Sequence, residues 1–232
     1  MWGIYDELIE QLPEDVKITN IFRTKRRVFV ETTCGIGTAM CFSESMYSLD
    51  SYIGCRVQEV SELIKSWDFD KASVGLAAMN SYFNQLETIN SQNFKIQGTH
   101  DVFADYQEPS NQKIATIGYF HYLDRYPKLK EALTIFELKA IEGTYPASAT
   151  EFLLPEMDVV FITGSTLVNK TLPRLLELSR EVETILVGGS VPLSATLFSH
   201  GVNQLAGKVV TEFPTDQNAC RTQGKSFTLI NK

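Results

Sequence analysis

The sequence is poor in the residues that build metal centres and disulfide frameworks, with four cysteines and three histidines in 232 residues. Cys34, Cys41, Cys55 and Cys220 are scattered, and His100, His121 and His200 stand alone. Zinc-ligand spacing and a redox Cys-x-x-Cys pair are both absent, so no metal ligand is assigned and the thiols are expected to be buried and reduced. Long apolar runs are missing too. No stretch approaches the roughly 20 residues of a membrane span. The start, Met1-Trp2-Gly3-Ile4-Tyr5-Asp6-Glu7, has neither the basic nor the apolar segment of a leader. The expectation is a cytoplasmic protein with no membrane partner.

Basic charge is the third deficit: Lys and Arg number 21 against 28 Asp and Glu, a net charge of −7. The imbalance lies in residues 1–111, with 9 basic against 16 acidic side chains, while residues 112–232 carry 12 of each. Phosphate backbones are bound by clustered cations, so the asymmetry argues against a nucleic-acid partner. The one basic run, Arg23-Thr24-Lys25-Arg26-Arg27, separates two alternating apolar stretches and reads as a charged hairpin turn.

What remains is ordinary globular composition, 44% hydrophobic and 21% charged, in a chain able to hide roughly 70–75% of its unfolded surface. Ile4, Tyr5, Leu8, Ile9 and Leu12 form a helical stripe that Pro13 ends. Residues 16–33 alternate as a hairpin, and 38–42 read as a third strand. Two helices follow, marked by Val57, Val60, Leu63 and Ile64, and by Ala72, Leu76, Met79 and Phe83. Residues 90–111 lose all periodicity and place a domain boundary, giving units 1–108 and 109–232. Beyond it strand and helix alternate: strands at 113–118, 133–138, 158–163, 184–187 and a last one at 207–213, with helices at 123–133, 172–182 and 193–200. That rhythm predicts an α/β fold with a parallel sheet, whose ligands bind beyond the carboxyl ends of the strands.

Four strand ends carry candidate groups. Gly118 is followed by Tyr119-Phe120-His121, which lacks the further glycines of a dinucleotide site. These aromatics either stack on a flat ring or pack between the domains. Glu137 lies 19 residues on, near the spacing of a ribose acceptor, and is a candidate general base. Thr163-Gly164-Ser165-Thr166-Leu167-Val168-Asn169-Lys170-Thr171 concentrates hydroxyls and an amide between a buried strand and a helix. Thr171 suits a helix N-cap, which leaves Thr163, Ser165 and Asn169 to orient a substrate. Gly188, Gly189 and Ser190 allow close approach of an anionic group to the backbone. On the second helix Asn80 needs a partner, either a packing hydrogen bond or a ligand.

Together these strings resemble the putative heavy-metal chelation family, over nearly the whole chain. The resemblance rests on Gly75-Leu76-Ala77-Ala78-Met79-Asn80, on Glu137, on Pro155-Glu156-Met157-Asp158 leading into residues 163–171, and on Gly188-Gly189-Ser190 with Gly201-Val202 and Ala206-Gly207. It implies a small α+β enolase N-terminal-like domain followed by a Rossmann-like parallel-sheet domain, with a cleft between them. The family pattern has Gly-Pro-Ser where this chain has Gly188-Gly189-Ser190. The implied activity is condensation or hydrolysis on a small aromatic or chelating molecule such as a pterin, a flavin precursor or a siderophore-like metallophore.

Three functions compete at this point. The first is an enzyme using Asn169 and Glu137, with Thr163, Gly164, Ser165, Asn80, Gly118, Gly188, Gly189 and Ser190 binding the ligand. The second is a non-catalytic carrier of a metal chelate or small molecule. The third is an S-adenosylmethionine-dependent methyltransferase, carried only by Gly118 and Glu137. No cofactor is assigned, and a homo-oligomer stays open.

Overall fold

A computed structural model of the chain describes residues 2–43, 48–92, 95–98, 101–107, 111–214, 216 and 224–231. Cys220, His100 and the residues on either side of the 108/109 boundary (Glu108, Pro109) lie outside them.

The first half begins with α1 (Gly3–Glu10), which buries Ile4, Tyr5, Leu8 and Ile9, the stripe expected from its spacing. β1 (Ile18–Arg23) and β2 (Arg27–Thr32) form the expected hairpin, and β3 (Ile36–Met40) completes an antiparallel meander. α2 (Val57–Ser61) and α3 (Phe69–Phe83) follow. The Asp68 carboxylate caps α3, accepting from the Asp70 and Lys71 N–H groups at 3.1 and 3.3 Å. α3 lies very close to the meander because Gly37 has no side chain. A Cβ there would meet the Ala77 carbonyl at 2.0 Å. α4 (Leu86–Ser91) runs into the stretch whose sequence shows no period, and β4 (Lys95–Gly98) lies inside it.

The second half runs β5 (Ile114–Ile117), α5 (Pro127–Ala132), β6 (Thr134–Glu137), β7 (Tyr145–Pro146), α6 (Thr150–Leu153), β8 (Val159–Thr163), α7 (Leu172–Leu178), β9 (Glu183–Val187), α8 (Thr196–Ser199), β10 (Gln204–Val210) and β11 (Gly224–Ile230). β10 is therefore not the last strand. β11 pairs antiparallel along its whole length, and β4 adds to β11.

The described strands form one sheet in the order β1-β2-β3-β10-β9-β8-β5-β6-β7. From β10 to β7 all neighbours are parallel, giving an α/β protein. The chain leaves β5 for β6 on one side and returns to β8 on the other, so the order reverses between β5 and β8, where a crevice opens. A second opening lies along β10. Residues 204–206 pair with β9, whereas Val210 pairs with Ile36 of β3, and the segment between them faces no strand on that edge. Asn84 fills this gap: its amide donates to the Val191 carbonyl at 2.9 Å and the Lys208 carbonyl at 3.1 Å, and accepts from the Leu193 N–H at 2.8 Å.

One apolar core runs from Ile4 to Leu229. A second, on the other face of the parallel strands, stacks Phe103 on Phe161 at 4.3 Å and takes in Phe120. Among the described residues no helix is long and apolar enough to cross a membrane. Two expectations need correction. Arg23 is not part of a solvated turn, being 4% exposed and 3.2 Å from Asp70. Of the three described cysteines only Cys41 is buried, while Cys34 is exposed and Cys55 partly so.

Candidate functional site

A cavity of about 840 Å³ opens at the carboxyl ends of β5, β6, β8 and β9. Its lining includes Gly118, Glu137, Thr163, Ser165, Asn169, Gly188, Gly189 and Ser190, so four separate strand-end loops converge on one space. Gly164 and Asn80 do not line it. Gly164 serves close packing instead: a Cβ there would sit 2.6 Å from the Val191 nitrogen. Asn80 is fully buried and donates to the Thr38 carbonyl at 2.9 Å, the packing alternative of its two readings. Its Oδ1 has no partner.

Gly118 (φ +100°) and Gly188 (φ +113°) adopt left-handed conformations that side chains disfavour. At Gly118 the space is also limited, since a Cβ would lie 3.1 Å from Thr163 Cγ2 across the β5/β8 crevice. The Tyr119 N–H that follows donates to Glu137 Oε1 at 2.5 Å. The Tyr119 ring is held at the cavity wall by Lys130, whose ammonium stands 5.2 Å from the ring centre and 2.6 Å from Asp124. Phe120 also lines the cavity and packs against Phe103 in the second core.

In the loop after β8, Thr163 Oγ1 and Ser165 Oγ lie 3.0 Å apart, and Tyr5 of α1 donates to the Leu167 carbonyl at 3.2 Å. Burial pushes the Tyr5 phenol well above its usual range, keeping it a neutral donor. Thr171 stands at the N-cap of α7 but its hydroxyl does not cap the helix. Instead Asn169 Oδ1 accepts from the Thr171 hydroxyl at 2.7 Å and its N–H at 3.1 Å. Two donors on one atom fix which end of the amide is oxygen.

Sequence reasoning passed over several lining residues that carry charge, Arg27, Lys170, Arg174 and Lys208 among them. Lys170 has φ +66°, unusual for a side-chain-bearing residue. Its ammonium donates to the Val168 carbonyl at 2.6 Å and stands 5.4 Å from the Phe69 ring centre. Burial brings its pKa down to about 8. Arg27 and Lys208 line the opposite end, and both are held below their usual range, chiefly by burial. Arg174 at the rim makes a two-point contact with Glu151, at 3.0 and 2.6 Å. A signal for Arg27 existed: Phe29 shares its face of β2, and an apolar residue there marks a covered surface.

These features define an α/β protein with a cavity of about 840 Å³ where its strand-end loops meet. Two domain models, both described as putative heavy-metal chelation, match residues 5–83 and 101–223, and the chain belongs to that family. A crystal structure of a protein with unknown function from the same family, from Desulfitobacterium hafniense, is 32% identical, covers 100% of this chain and 99% of its own, and superposes with a TM-score of 0.88. A second, from Pyrococcus horikoshii, is 22% identical over 99% and 98% of the two chains with a TM-score of 0.75, and speaks for the fold alone. An uncharacterized protein of Methanocaldococcus jannaschii is 26% identical over 174 residues, 70% of this chain and 64% of that protein's length.

Proposed function

We propose that the cavity binds a small aromatic or chelating molecule, of the pterin, flavin-precursor or metallophore kind, and acts on it by condensation or hydrolysis. One observation carries the reading: glycine, hydroxyl, amide and carboxylate groups from four strand ends line one cavity of about 840 Å³, walled in part by Tyr119, Tyr122 and Phe42. Asn169 would orient the substrate, and Glu137 would accept a proton or a hydroxyl hydrogen. Among the described residues no group of three His, Cys, Asp or Glu is placed to hold a metal ion. The link to heavy-metal chelation is therefore put on the small molecule, which supplies the donor atoms.

The same reading takes the chain as two units, 1–108 and 109–232, with the cleft between them. Support comes from Arg27, Met40 and Phe42 of the meander side lining the cavity opposite the strand ends of the second half. The antiparallel meander under α3 fits the enolase N-terminal-like part, and the parallel strands fit the Rossmann-like part.

A carrier without catalysis is the second reading, favoured by the occupied state of both candidate catalytic groups. Glu137 already accepts from Tyr119, and Asn169 from Thr171. Incubation with pteridines and metallophore precursors, followed by mass spectrometry, separates the two. A product that forms with the native protein, but not with an equally stable Asn169→Ala variant, supports the enzyme. Saturable binding of a ligand that is recovered unchanged supports the carrier.

A further inference from the structure

At the β10 end of the cavity stands an arginine that no carboxylate among the described residues balances. Arg27 Nη1 is buried and has no hydrogen-bond partner, and the guanidinium makes no ion pair among the described residues. Arg23, four residues earlier, is buried against Asp70, so this fold supplies a carboxylate where a buried arginine is structural. Uncompensated buried charge is costly, and a fold keeps it where a ligand provides the counter-charge. Lys208 adds a second cation on the same stretch of lining and is close enough to lower its own proton affinity through Arg27.

The neighbouring loop is shaped around this group. A Cβ on Gly189 would come within 2.8 Å of Arg27 Nη1. A glycine at this position thus leaves room for the guanidinium. Ser190 Oγ accepts from the Met40 N–H at 2.9 Å, which leaves its own hydrogen for another acceptor. The N–H groups of Gly189 and Ser190 bond to no described residue.

We propose that Arg27, Lys208 and Ser190, with the Gly189 and Ser190 backbone, form an oxyanion subsite that takes a carboxylate or phosphate group of the molecule bound in the cavity. A planar guanidinium fork matches either group. This rests on the reading of the cavity as a small-molecule site and narrows it to ligands that carry an acid.

Calorimetric titration with inorganic phosphate and with benzoate tests it, using the native protein, Arg27→Met and Gly189→Ala. The native protein is expected to give a saturable heat with at least one probe, and which one distinguishes phosphate from carboxylate. Arg27→Met is expected to weaken that binding at least tenfold while melting no lower than the native protein in buffer free of both anions, because an unbalanced buried charge has been removed. Gly189→Ala, which pushes on the guanidinium without deleting it, is expected to weaken binding several-fold and carries the test if Arg27→Met does not fold. No saturable heat with either probe, or equal affinity in both variants, overturns the subsite. Arg27-dependent binding of phosphate with no gain from phenyl phosphate would keep the subsite and count against a ring-bearing ligand.

Discussion

The side-chain amide of Asn84 donates to the Lys208 carbonyl at 3.1 Å, joining the end of α3 to the middle of β10, on the edge that faces no strand, across 124 residues of sequence. With its bonds to Val191 and Leu193, it bridges the gap where β3 and β9 share one edge of β10. Asn84→Ala strands two carbonyls and one N–H in a site only 1% exposed. The expected loss is about 2–4 kcal/mol of stability, read from urea unfolding.

Close packing of α3 on the meander depends on Gly37, where a Cβ would meet the Ala77 carbonyl at 2.0 Å and the Ser81 nitrogen at 2.2 Å. Both atoms are backbone and cannot rotate away. Gly37→Ala is expected to cost about 3 kcal/mol or more, whereas Gly3→Ala, in open space on α1, is expected to change stability by about 1 kcal/mol at most and in the favourable direction. Thermal melts of the two variants check the contrast.

Thr116 sits in the middle of β5, fully buried, and its hydroxyl has no hydrogen-bond partner. Valine has the same shape without the polar atom. Thr116→Val is expected to leave stability unchanged or raise it by about 1 kcal/mol, measured by denaturant midpoint.

Lys170 gives a pH dependence whose sign follows from burial. Its pKa falls from 10.5 to about 8 in the folded chain. Below pH 8 folded and unfolded chains both carry the ammonium, and its desolvation cost is constant. Between about 8 and 10.5 the unfolded chain binds more protons, so this residue's contribution to stability rises with pH. Lys170→Met removes the effect. Urea midpoints from pH 7.5 to 10.5 should show any advantage of Lys170→Met over the native protein shrinking as pH rises, with a constant difference counting against the burial argument.

Local pattern carried most of the fold. The α1 stripe, the hairpin, α3 and the alternation from β5 to β10 follow from periods that short segments display on their own. β4 and β7 are too short to show one, and β4 exists through its pairing with β11, which no local signal encodes. Phe227 and Leu229 do alternate in β11, but the run from Gly207 to Phe213 already reads as a closing strand. At the site, strand-end loops rich in glycine and hydroxyls were legible because parallel sheets place ligands there. Arg27 was not, since a basic run at a turn reads as solvated until the loop from β9 is laid over it. Lys170 depends on a left-handed backbone that its residue type does not announce.

The most direct measurement is a crystal structure after soaking with ring-bearing acids, pterin-6-carboxylate and phenyl phosphate among them. The expected result is ligand density in the cavity, with the ring between the Gly118 and Gly188 loops and the acid at Arg27. Ligands bound only elsewhere on the surface, with the cavity holding solvent alone, would contradict the assignment of this cavity as the site of function.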